Sequence, residues 1–230
     1  MEITWYGGSC FRLRDKNTIA LADPFLPGSK YQNLQIKADL LTVSRPNLDL
    51  RNVVSNVRTP PYVIDGPGEY EIGGVFVNAV WNVPHSGRLN GADSGDLPGL
   101  ICIFAIDGVA ICHLGQLESP PSNELLEAIT PFDVLIIPPG GRGRLSATEA
   151  AKIVSDTSPK IVIPMGYAPG RHDDGGDGID SFIKEAGLVV GDTVSAFSPT
   201  RSNLPAGNTE TVILESRTKE KKPAGARSLP

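Results

Sequence analysis

Two apolar runs, Asp133-Val134-Leu135-Ile136-Ile137 and Lys160-Ile161-Val162-Ile163-Pro164, constrain the fold of this chain most. A strand without polar alternation must be covered on both faces, so each run predicts a buried strand. Between them, Ser146 to Ser155 opens with a capping Ser and an early acid and carries apolar residues at helical spacing. Ser122 to Ile129 has the same signature, and a third helix is expected over Ile179 to Ala186 with Gly187 as its stop. Short β patterns dominate the first half: Ile3 to Tyr6, Cys10 to Leu13, Thr18 to Ala22, Leu40 to Val43, Tyr62 to Ile64, Val75 to Val80, Leu100 to Ile106 and Val109 to His113. Two more follow at Thr193 to Phe197 and Thr211 to Leu214. Strands, then strand and helix in alternation, then strands again predict an α/β fold of two packed sheets with helices on the outer faces, a four-layer αββα sandwich.

A chain of 230 residues with 40% hydrophobic content can bury an ordinary core, and one domain is expected over residues 1–215. Residues 216–230 are charged and nearly free of large apolar groups, so a disordered tail is expected. A formal charge of -5 gives no basic field for nucleic acid. The start lacks a basic segment followed by an apolar run, and no later stretch is apolar for long enough to span a bilayer, so no membrane partner is expected and the location is read as cytoplasmic. The three cysteines agree, each sitting in an apolar strand pattern. If Asp107-Gly108 is a two-residue hairpin turn, Ile106 pairs with Val109, Cys102 faces His113 and Cys112 faces Ile103, which puts the two thiols on opposite faces.

Covalent and nucleotide chemistry find no support, since neither Gly-x-Ser-x-Gly nor a Gly-Lys-Ser phosphate loop occurs. Gly140-Gly141-Arg142-Gly143-Arg144 offers backbone donors and two cations just before a helix, a pattern able to seat a phosphate or carboxylate. Glu69 and Glu71 share one face at strand spacing but read as part of a structural turn. The acids around His172 lack the spacing of a calcium loop and read as a solvated loop. His113, inside a strand pattern, reads as a hydrogen-bonded core histidine, with a ligand or proton-shuttle role as the alternative.

Several segments, taken in order, resemble the metallo-β-lactamase-fold hydrolases, in particular the branch that includes L-ascorbate-6-phosphate lactonase. They are Trp5-Tyr6-Gly7-Gly8-Ser9-Cys10-Phe11, Leu21-Ala22-Asp23-Pro24-Phe25, Ile64-Asp65-Gly66-Pro67-Gly68-Glu69-Tyr70, Cys112-His113-Leu114-Gly115 and Ile163-Pro164-Met165-Gly166-Tyr167. The resemblance implies the αββα fold and a metal site whose ligands this chain largely lacks. Where the family carries His-x-His-x-Asp-His, the chain has Arg45, Asn47, Asp49 and Leu50. The bridging aspartate is Gln116, the last ligand histidine is Gly166, and the Gly-His-Ser position is Gly8. A further ligand histidine is matched loosely by His85. A guanidinium cannot be deprotonated and Leu has no lone pair, so neither can hold Zn²⁺.

These departures imply a superfamily member without its dinuclear metal site. No cofactor is then expected, and the chain reads as a non-catalytic binding or interaction protein for a small anionic ligand held by Arg45, Arg142 or Arg144. The alternative is a hydrolase of phosphorylated or lactone-like small molecules using one Zn or Mn ion on Asp49, His85 and His113. Arg45 is expected to offset the charge of Asp49, and assembly into oligomers stays open.

Overall fold

The apolar runs form the centre of a sheet covered on both sides. The structure is a computed structural model that describes residues 1–25, 35–45, 48, 50–55, 57–83, 98–140, 144–167 and 179–217. The smaller sheet orders β1 (Glu2–Trp5), β2 (Phe11–Arg14), β3 (Ile19–Ala22), β4 (Leu40–Thr42) and β5 (Tyr62–Ile64) as they occur in sequence. The larger contains β6 (Gly68–Ile72), β7 (Val75–Asn82), β8 (Gly99–Ile106), β9 (Val109–His113), β10 (Val134–Ile137), β11 (Ile161–Pro164), β12 (Val190–Val194) and β13 (Glu210–Leu214). Its order is β12-β13-β11-β10-β9-β8-β7-β6. Four helices accompany them, α1 (Leu50–Val54), α2 (Asn123–Ile129), α3 (Ala147–Thr157) and α4 (Ile179–Glu185).

Alternate residues of each strand enter different cores, and this defines the layers. Val134, Ile136, Ile161 and Ile163 join Trp5, Phe11 and Phe104 between the sheets. Their neighbours Leu135, Ile137 and Val162 pack outward against Ile153 of α3 and Phe182 of α4. Across the molecule, Leu21 and Leu41 pack outward against Val53 of α1. Helix, sheet, sheet and helices therefore stack as the four expected layers.

Local chemistry fixes the elements. Asp107 and Gly108 both adopt positive φ, at 50° and 74°, as a tight two-residue hairpin requires. The resulting register pairs Cys102 with His113 and Ile103 with Cys112, as expected. α3 starts on a reciprocal capping box: Ser146 Oγ accepts from Glu149 N, while the Glu149 carboxylate accepts from Ser146 N at 2.8 Å.

Four expectations need correction. Gly68–Ile72 is the edge strand β6, antiparallel to β7, where a turn was expected, and Glu69 and Glu71 are exposed on it. α1 occupies Leu50–Val54, where only a polar turn was expected, and Leu50 packs into the outer core. The strand expected over Thr193 to Phe197 lies earlier, at Val190–Val194; all five of its residues are exposed, so an edge strand shows no burial alternation. Phe197 instead bridges to Ile3 of the other sheet, with Phe197 N donating to Ile3 O at 3.0 Å. The chain also stays attached past residue 215, since Arg217 N donates to Trp5 O at 3.0 Å; residues 218–230 lie outside the described residues.

Candidate functional site

β3 and β4 run parallel in one sheet and β9, β10 and β11 run parallel in the other, so five strands deliver their C-terminal ends to one pole of the sandwich. Residues just beyond strand ends, where the chain leaves the ladder, are those free to meet a ligand. They enclose a cleft of about 270 Å³. Asp23 follows β3, Arg45 lies just past β4, Gln116 follows β9, Arg144 sits in the connection after β10, and Gly166 follows β11. Gly8, from the β1–β2 turn, completes this part of the lining. Gly8, Arg45, Gln116 and Gly166, which the resemblance assigns to metal-motif positions, thus line one cleft.

Ser44 ties the cleft together. Its N–H donates to Asp23 Oδ1 at 2.7 Å and its hydroxyl donates to Asp23 Oδ2 at 2.6 Å. The same hydroxyl accepts from Gln116 N at 3.2 Å, and Leu100 N donates to Ser44 O at 2.8 Å. Gly115 makes this approach feasible: its φ is +63°, and a Cβ there would overlap Ser44 Cβ and lie 2.7 Å from Ser44 Oγ. Asp23 is 6% exposed, and both groups hydrogen-bonded to its carboxylate are neutral.

Gly166 and Arg144 share one space. Gly166 has φ +77°, its N–H donates to Gly8 O at 3.0 Å, and its carbonyl accepts from Arg144 Nη1. A Cβ on residue 166 would overlap Nη1 and lie 2.8 Å from the guanidinium carbon. A guanidinium therefore fills the volume that a histidine at this position would enter. Arg45 pairs with Glu118 at 2.8 Å, with both side chains over a third exposed, so the ion pair adds little stability. The partner expected for Arg45, Asp49, lies outside the described residues, as do Asn47, His85, Arg142 and His172.

His113 stands behind the cleft. It is 1% exposed; its Nε2 is 3.0 Å from Ser9 O, and its Nδ1 accepts from Gly115 N at 3.2 Å. An acceptor at Nδ1 fixes a neutral ring with its proton on Nε2, donating to Ser9. Both nitrogens are spent on backbone, as the reading of a hydrogen-bonded core histidine expects, and His113 braces two walls of the cleft. Burial lowers its pKa, while the Asp23 charge and the Ser9 carbonyl act in the opposite sense. Below its ordinary value near 6.5 the unfolded chain therefore binds the proton more readily than the folded one. Stability is expected to fall as pH drops from there toward the depressed folded value, by about 1.4 kcal/mol per pH unit from this group. Urea titrations across that range should show a steeper acid-side loss for the native chain than for His113→Gln; parallel curves would contradict the bracing role.

Burial also pushes the Cys10, Cys102 and Cys112 thiols well up, so none is poised as a nucleophile. Among the described residues no three His, Cys, Asp or Glu side chains converge to hold a metal. Of the charged groups described in the cleft, Asp23 is a single carboxylate with two acceptor positions taken by Ser44, and the two arginines cannot ligate. The described donor set does not fit the dinuclear centre of the family. Sequence reasoning missed Ser44 and Asp23 as site residues. The signal for Asp23 was present in Asp23-Pro24-Phe25, which places a carboxylate directly after a buried strand.

A two-sheet αββα sandwich whose strand ends gather these positions at one cleft defines the metallo-β-lactamase class of proteins. The chain belongs to that superfamily: residues 2–166 match the family model of the β-lactamase superfamily domain. It is 28% identical over 192 residues to a UPF0173 metal-dependent hydrolase from Thermoplasma acidophilum, covering 73% of this chain and 83% of that one. A UPF0173 metal-dependent hydrolase from Lysinibacillus sphaericus is 26% identical over 196 residues, with 73% and 85% covered. Among solved structures, a proposed Zn-dependent hydrolase of the metallo-β-lactamase superfamily from Thermotoga maritima superposes with a TM-score of 0.72 at 25% identity, covering 93% of this chain and 97% of that one. A metallo hydrolase from Ignicoccus hospitalis shares the fold, with a TM-score of 0.60 at 18% identity over 96% of this chain and 99% of that one.

Proposed function

We propose that this chain is a superfamily member in which protein-borne guanidinium has taken the place of the metal, and that it binds a small anionic ligand in the former metal cleft without catalysing hydrolysis. The observation that carries this reading is the Arg144 guanidinium in the volume of a side chain at position 166. A cation there supplies positive charge to the cleft, but it cannot lower the pKa of a bound water as a metal does. Arg45, which also lines the cleft, adds a second positive group that it shares with Glu118.

The relatives' names favour a second reading, a metal-dependent hydrolase with a single ion on Asp49, His85 and His113. It requires His113 to give up both backbone partners. Elemental analysis of protein purified without chelator separates the two. Well under one equivalent of Zn, Mn or Fe is expected; stoichiometric metal that disappears in Asp49→Ala would establish the hydrolase reading instead.

A further inference from the structure

We infer that the cleft is built for a zwitterion: a small molecule with an ammonium group, a carboxylate and an apolar arm, as in an α-amino acid. The inference rests on the anion-binding reading and adds the nature of the ligand's other end. Asp23 carries it. The side chain is almost wholly buried yet lines the cleft, and among the described residues no ion pair reaches it. A carboxylate has about four acceptor sites, of which Ser44 uses two. An ionised carboxylate in such a place is costly unless a cation offsets it.

The backbone adds a second, independent sign. Asp23 has φ 45° immediately before Pro24, a combination that proline disfavours in the residue preceding it. Unfavourable backbone of this kind is kept where the surroundings enforce it, often at ligand clamps. The effect is to hold the buried carboxylate in the cleft lining.

Charge and size then select the ligand. A phosphate could meet the arginines, but its remaining oxygens would be repelled by Asp23 in the same cleft of about 270 Å³. A zwitterion brings its own cation for Asp23 and leaves its carboxylate for the arginine side. The volume falls just short of the roughly 300 Å³ at which pockets for drug-sized ligands begin, which suits a molecule of amino-acid size. Phe25, Leu48 and Met165 give its arm an apolar wall.

Calorimetric titration of the full chain with L-leucine and L-phenylalanine, and with their deaminated counterparts isocaproate and hydrocinnamate, tests this. At least one amino acid should bind about 30-fold or more tightly than its deaminated counterpart, and Asp23→Asn should abolish the difference. If that variant does not fold, the comparison between ligands on the native chain still decides. Equal affinity within each pair overturns the zwitterion and leaves anion binding standing. Isoamylamine binding as tightly as leucine overturns both, because the carboxylate then contributes nothing. Absence of binding by both amino acids also overturns the zwitterion, and inorganic phosphate titrated in parallel reports separately on the anion reading.

Discussion

Gly115→Ala is expected to destabilise the protein by about 3 kcal/mol or more, the largest effect of any single methyl group at the cleft. Two costs combine. The residue has φ +63°, a conformation that costs an L side chain about 1–2 kcal/mol. The new Cβ would overlap Ser44 Cβ and lie 3.0 Å from the Leu100 carbonyl oxygen. Neither obstacle is the end of a flexible chain, so the strands must separate, at about 1–3 kcal/mol for overpacking. Separation would also break the Ser44 bonds to Asp23 and Gln116. Urea denaturation measures the loss. Adding Ser44→Gly should recover only the overlap, so the double variant should lie between the two; a Gly115→Ala protein within about 0.5 kcal/mol of the native chain would refute this packing.

Gly166→His should cost about 2–3 kcal/mol, and the cost should depend on Arg144. Positive φ accounts for about 1–2 kcal/mol of it. The remainder comes from expelling a guanidinium that bonds the Gly166 carbonyl, a charged hydrogen bond worth about 1.5–3 kcal/mol where it is buried and less at this part-exposed site. In an Arg144→Ala background that second cost is absent, so the double-mutant cycle should show coupling of about 1 kcal/mol. Additive losses would mean that the two side chains do not compete for one space. The same double variant, with histidine at positions 45, 47 and 50 and aspartate at 116, should take up zinc; failure to do so would show that these positions are not the family's ligand positions in this chain.

Much of the architecture could be read from the residues, because burial on both faces leaves a direct mark. Leu135 and Ile136 look alike in sequence and go to different cores, yet both had to be apolar. The hairpin register was equally readable, since Asp107-Gly108 admits one pairing. Edges were harder: β12 is exposed along its whole length and carries no alternation to detect, and α1 is only five residues long. At the cleft, motif positions told where the loops would meet but not what would fill the space. Arg144 reaches Gly166 across 22 positions of chain, and Ser44 reaches Gln116 across 72. No local pattern encodes such contacts; they follow from the parallel strands that bring the loop ends together.

The three thiols lie one to each interface: Cys10 on the outer side of the smaller sheet, Cys102 between the sheets, and Cys112 beneath the helices. None can reach a modifying reagent until its own interface parts, so the alkylation rate of each cysteine times the opening of a different layer. The protein thus carries an internal clock for the order in which its sandwich comes apart.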